Sequence, residues 1–309
     1  MLWVLLAIIG AISNAAYYII IRNHITTRDP RVLTALGFLP GGLILLGISA
    51  VQGMPAIGPA YSRAVAASAV LNIVSLVLVF RAMKSSDLSL SMPMLSFTPV
   101  FLIGTSYLLL HEMPSAAGMS GICSIVSGSY VLNISVEHEH FLDPVRSMIG
   151  NRGSWYMLIV AFLFAVSINE DKIAMLNSDP VFGMAFTLLF ISGAFAVIVV
   201  VSAKIKGRCL LHPAARDPGT PGHRTGPVFS VMPYCVPAVL IGIFAATESI
   251  SINIAYTLQI APYVIAIKRL SIIFMVLYGT FVCAENEVRT RLLGSVLMVG
   301  GAVIVLLFA

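Results

Sequence analysis

Ten apolar runs, each close to the ~20 residues a helix needs to cross a bilayer, recur along the whole chain and constrain its fold more than any other feature. They fall at approximately 2–21, 32–52, 64–83, 88–110, 117–135, 154–176, 181–203, 234–258, 261–283 and 291–309. Short clusters of Pro, Gly, Asn, Asp and Arg separate them. With 59% hydrophobic residues, 10% charged and a mean hydropathy of +0.98, the chain lies outside the range of soluble domains. Backbone groups in lipid must be paired within their own segment, and runs this continuous lack the alternation of barrel strands, so helices are expected. The first run has neither a basic leader nor a small-residue cleavage site and reads as a retained helix. The expected fold class is therefore an all-α integral membrane protein with ten transmembrane helices.

Loop charge gives an orientation. Basic residues from Arg22 and Arg28 through Arg146, Lys204 and Lys206 to Arg289 gather in the loops of one side, while the other side has only Arg63 outside the runs. The positive-inside rule makes the basic side cytoplasmic and puts both termini outside. Cysteine carries little information: Cys123, Cys235 and Cys283 lie in or beside apolar runs, Cys209 lies in a loop, and no metal-type spacing joins them.

The chain repeats itself. Sliding it by 173 residues, the separation of Glu112 and Glu285, aligns runs 3 to 5 with runs 8 to 10 without a gap. Ala82 then meets Ala255, Phe101 meets Phe274, Gly121 meets Gly294, Val126 meets Val299 and Gly128 meets Gly301. Upstream, "AISNAAYYIIIRN" (11–23) and "AVSINEDKIAMLN" (165–177) align with a shift of 154. A five-helix unit thus occurs twice, at 1–136 and 154–309, joined by a linker at 137–153. Five is odd, so the second unit enters the membrane from the opposite side, giving two inverted five-helix repeats, an architecture of transporters. The linker residues Glu137, His138, Glu139, His140 and Asp143 read as a solvated charged loop, and no metal site is expected.

The stretch "SFTPVFLIGTSYLLLHEMPSAAGMSG", the "DKIA" late in run 6, and "IKRLSIIFMVLYGTF" followed by an acid and "RLLGSVLMVGGAVIVLL" resemble the drug/metabolite transporter superfamily, specifically its EamA-like ten-helix members. The resemblance spans essentially the whole chain, in the order, spacing and duplication of these segments. It implies two inverted five-helix repeats and the movement of small metabolites, often outward. It also implies both termini in the cytoplasm, against the loop-charge reading.

Ionisable groups near mid-membrane cost about 2.5–3.5 kcal/mol each on insertion scales, so each needs a partner or a purpose. Run 8 holds Glu248, run 6 holds Glu170, Asp171 and Lys172, and run 9 holds Lys268 and Arg269. Three acids face three bases at comparable depth, so Glu248, Glu170 and Asp171 are expected to reach the layer of Lys268 and Arg269. Adjacent helical residues lie about 100° apart, so the basic pair cannot point one way. Ser251, Asn253 and Tyr256 extend a polar stripe from Glu248, and Asn14 and Asn72 supply neutral hydrogen-bonding groups in the first half. These charges either lock helices together or line a pathway, and the second reading makes them candidates for substrate contact or coupling. Ser120, Ser124 and Gly128 form a small-residue row that permits close approach within the repeat or between two subunits of a homodimer.

No nucleotide-binding loop is recognisable and the histidines form no catalytic frame. The expectation is a secondary active transporter of the cell (plasma or inner) membrane. It moves a small amphipathic metabolite such as an amino acid, outward as the family resemblance implies, with a coupling proton, no cofactor and no nucleic-acid partner. The alternatives are a channel, a non-transporting scaffold and, further off, a membrane-embedded enzyme.

Overall fold

The computed structural model describes residues 1–24, 29–85, 92–133, 152–206, 232–282 and 288–308. The linker and its acids and histidines, Cys209, Cys283, Glu285 and most of the basic loop between runs 7 and 8 lie outside the described residues. Each of the ten apolar runs is occupied by helix, and no strand occurs among the described residues. In chain order the helices are α1 (Leu2–His24), α2 (Pro30–Gln52), α3 (Tyr61–Ser85), α4 (Thr98–Leu110), α5 (Ala116–Asn133), α6 (Arg152–Leu176), α7 (Ala185–Lys206), α8 (Met232–Leu258), α9 (Ala261–Lys268), α10 (Ser271–Val282) and α11 (Val288–Phe308). Short 3-10 turns at Met92–Phe97 and Phe182–Met184 lead into α4 and α7.

Local chemistry sets several of these ends. Asp29 caps α2 by accepting the Arg31 N–H at 2.9 Å, and Pro30 occupies the first turn, where its missing donor costs nothing. α2 stops at Gly53, whose φ of 96° is open to glycine and strained for other residues. Five helices are long and apolar enough to cross a bilayer by length and composition: 2–21, 30–52, 61–82, 182–204 and 234–258. α6 is of similar length but carries Glu170, Asp171 and Lys172 in its later half.

Two runs differ from the uninterrupted helices their composition predicts. In the described part of run 4 a 3-10 turn at Met92–Phe97 gives way to α-helix at Thr98, because Pro99 has no N–H to continue an α ladder and fits the first turn. Run 9 breaks at Arg269–Leu270 into α9 and α10. Around the break the bonds tighten to three-residue spacing, with Arg269 N–H reaching Ala266 C=O at 3.2 Å, Leu270 reaching Ile267 at 3.0 Å and Ile272 reaching Arg269 at 3.1 Å.

Neighbours in space are not neighbours in sequence. α1 packs on α8, α3 on α6, α2 on α7 and α8, α5 on α11, α4 on α6, and α1 also on α9 and α10. Without a hydrophobic force between lipid-solvated helices, close approach depends on small residues. A Cβ added to Gly121 would lie 2.8 Å from the Gly301 carbonyl oxygen, and one on Gly128 would lie 2.6 Å from that of Gly294. The ring of Pro40 inside α2 is received by Gly242 of α8 in the same way, 2.7 Å from a would-be Cβ. Ser124 Oγ donates to the Leu297 carbonyl at 3.0 Å, so the small-residue row of α5 is used within the chain, against α11.

Substituting Gly128 or Gly301 by Ala pushes a methyl into backbone, and a loss of about 1–3 kcal/mol is expected. Gly104 and Gly193, with nothing within 4 Å of an added Cβ, accept Ala within ~0.5 kcal/mol. Thermal unfolding in lipid nanodiscs compares the two sets.

Candidate functional site

The α6 sequence Glu170-Asp171-Lys172 sends its two acids to α3 and its lysine to the α4–α5 and α8–α9 connections. Glu170 turns to α3 and meets Arg63 Nη1 at 3.4 Å. Asp171 accepts the Ser68 hydroxyl of α3. Lys172 pairs with Glu112 in the α4–α5 connection and donates to the Gln259 carbonyl at 3.1 Å. Asn72 completes the α3–α6 contact by donating to Ser167 Oγ at 2.6 Å and to the Ser68 carbonyl at 3.0 Å.

A second group joins α1, α8 and α9. Lys268 forms an ion pair with Glu248, and Asn14 donates to the same carboxylate oxygen at 3.0 Å. Tyr17, about one turn on from Asn14, stacks on Tyr18 with ring centroids 4.4 Å apart, and both tyrosines lie within electrostatic range of Arg269. Polar contacts therefore run from Lys268 through Glu248 to Asn14 of α1, beside the break between α9 and α10.

The two groups meet at Tyr256. Its hydroxyl lies within electrostatic range of Asp171, Glu248 and Glu112, and its ring centroid is 5.5 Å from the Lys172 ammonium. Asp171 is also within electrostatic range of Lys268. Residues 170–172 and 248–269 are thus brought to one region, although the pairing differs from the expected layer: Glu170 pairs with Arg63, and Glu248 pairs with Lys268. Asn253 is directed elsewhere, donating to the Pro180 carbonyl at 2.8 Å beside the start of α7. Ser251 is buried one turn from Glu248.

Two buried atoms of charged groups are left without a hydrogen-bond partner among the described residues, Glu170 Oε2 and Arg269 Nε. Buried polar atoms are nearly always satisfied, so each exception marks a position where water or a solute has something to gain. Among the described residues no group of three or more His, Cys, Asp or Glu gathers as metal ligands.

Sequence reasoning treated Glu112 only as a marker of the repeat and Arg63 only as a loop charge, yet both enter the assembly. The signal was there for Glu112: an acid two residues past α4, at the end of the bundle that Lys172 approaches. Asn169, which donates to Thr105 Oγ1 at 2.9 Å and accepts from Ser106 Oγ at 2.7 Å, was hidden among its charged neighbours and fastens α4 to α6.

Residues 1–134 match the model of the EamA-like transporter family, so the resemblance seen in the sequence is met over that part of the chain. No curated protein matches the chain. Of the solved structures that do, one crystal structure aligns with 99% of this chain and 97% of its own at a TM-score of 0.74 and 14% identity, a likeness of fold. The long apolar helices, beside a family match over the first 134 residues, mark a multi-pass membrane protein.

The Arg63–Glu170 pair has an arginine side chain that is 63% exposed, whereas Glu248 and Lys268 are 13% and 25% exposed. Arg63→Ala, which removes an exposed cation but leaves the buried Glu170 carboxylate unpaired, is expected to cost about 1–3 kcal/mol. Lys268→Ala, which strips a largely buried carboxylate of its cation, is expected to cost about 3–5 kcal/mol. A double-mutant cycle with Glu248→Ala, read by thermal unfolding, should recover a coupling of ~0.5–3 kcal/mol between residues 248 and 268.

Proposed function

With residues 1–134 matching the EamA-like transporter family, we propose that the whole chain is a secondary carrier for a small amphipathic metabolite bearing both charges, working by alternating access between two inverted five-helix halves. The observation that carries this reading is the convergence of Asp171, Glu248, Lys268 and Arg269 on a helix break inside the bundle. Ionisable residues at such depth mark pathways, and interrupted helices are where carriers place their sites.

Helix packing supports the inverted halves. Exchanging each helix for its counterpart five runs away turns the α1–α8 contact into α6–α3, α4–α6 into the α9/α10–α1 contact, and α3–α7 into α8–α2, while α2–α7 and α5–α11 map onto themselves. The glycine contacts obey the same exchange. With the shift of 173, Gly121 against Gly301 becomes Gly294 against Gly128, which is the other close contact. A two-fold relation of this kind gives one central site two equivalent routes, one to each side.

Roles follow from which charges are already satisfied. Lys268 is held by Glu248, so Arg269 is the cation available to a solute carboxylate, with the planar donor geometry that favours bidentate pairing. Glu248, shared between Lys268 and Asn14, is the group for proton exchange or for an ammonium, assisted by Asp171. The surrounding apolar side chains of α9, Tyr263 to Ile267, are buried and suit the hydrocarbon part of the solute.

Counterflow in reconstituted vesicles preloaded with a mixed amino-acid pool tests the reading. Saturable uptake of labelled amino acid that depends on the internal pool is expected, and a channel, a scaffold or an enzyme gives none. Glu248→Gln should abolish the response to a proton gradient in folded protein. Arg269→Lys should raise KM at least tenfold, ~1.4 kcal/mol of binding, with assembly unchanged. Transport at the native rate by both variants would remove these residues from the mechanism.

A further inference from the structure

At the end of the bundle holding the α4–α5 and α8–α9 connections stands an assembly that solute binding does not use. Glu112 comes from the first connection, Gln259 and Ala261 from the second, and Lys172 from the last two turns of α6. Lys172 Nζ pairs with Glu112 Oε1 and donates to the Gln259 carbonyl at 3.1 Å, while Glu112 Oε2 accepts the Ala261 N–H at 2.8 Å. Beside them the Ser115 N–H donates to the Tyr263 hydroxyl oxygen at 2.8 Å. Lysines near helix ends ordinarily carry their ammonium to water. Lys172 is instead 4% exposed, covered by Tyr256 and the two connections.

One buried ammonium thus ties a connection of the first half to a connection of the second, directly above the charged region around Tyr256. We propose that the Lys172–Glu112 pair, with Gln259 and Ala261, is a latch that closes the passage from the central site to this end of the bundle. The inference rests on the carrier reading. Such a pair is stable when dry and fully bonded, and admitting water between the connections exchanges every one of its bonds for hydration, so it has a closed and an open arrangement. The latch is one-sided in sequence: with the repeat shifts of 154 and 173, Glu112 corresponds to Glu285 but Lys172 corresponds to Tyr18. No lysine stands at the matching place toward the other end, so the solute-free protein rests closed at the Lys172 end.

The test uses the full chain in lipid vesicles, its four cysteines replaced, with spin labels on cysteines introduced at the exposed residues Met113 and Leu258. Pulsed electron–electron distance measurement should show one short distance in the parent. Lys172→Met and Glu112→Gln should each raise the ratio of a longer distance to the short one at least tenfold. Glu112→Gln keeps an acceptor for Ala261 N–H, so it decides alone if Lys172→Met does not fold. Arg63→Gln, which breaks a charge pair between α3 and α6 that involves neither connection, should leave the distribution unchanged. An unaltered distribution in Glu112→Gln, or an equal opening in Arg63→Gln, overturns the latch. Failure of counterflow with these distance changes intact would instead overturn the carrier reading and leave the conformational switch standing.

Discussion

An ion pair inside a membrane protein has no water to fall back on, and the Lys268–Glu248 contact is where this constraint acts on the chain most directly. Each partner alone would cost several kcal/mol to hold at that depth, on the order of the insertion penalties for single charges. Together, and with Asn14 donating to the same carboxylate, they join α9 to α8 and α1. The position of the break after Lys268 follows the same logic. A helix that must direct Lys268 toward Glu248 and Arg269 toward the tyrosines of α1 can do so by tightening locally, and the hydrogen bonds around residues 266–273 show that tightening.

Apolar residues supply no comparable specificity here, because lipid is as good a partner for Leu or Val as another helix is. Pair choice falls to small residues and polar contacts. α5 and α11 meet through glycines, α2 receives α7 and α8 at Gly42 and Gly41, and α3 and α6 are fastened by Ser68, Asn72, Ser167 and Asp171. Glycine and serine contacts give close but weakly attractive surfaces, and charged contacts give strong but breakable ones. The carrier proposed above would use both, since its halves would move as bodies and the links between them would open.

Much of this was legible before any coordinates. Apolar length located all ten runs, because nothing but a membrane tolerates them. The cost of Lys268 and Arg269 demanded acids nearby, and Glu248 was among those named. Pairing was not legible, since the partner of Glu170 is set by which helix lies alongside α6, and sequence distance says nothing of that. The break in run 9 gave no local sign either: no glycine or proline marks Arg269–Leu270, and apolar composition is uniform across it. Glu112 escaped for the opposite reason, since a polar residue in a short turn looks like a solvated one until a buried lysine is found against it.

Sided labelling of a single cysteine at Ser251, buried one turn from Glu248, tests most directly whether these charges line an alternately exposed site. A membrane-impermeant maleimide is applied to either face of oriented vesicles, with and without transported solute. The account predicts reactivity from one face at rest and a gain of reactivity from the opposite face when solute drives turnover. Simultaneous reactivity from both faces, as in an open channel, or protection from both under all conditions, as in a static scaffold, would contradict it.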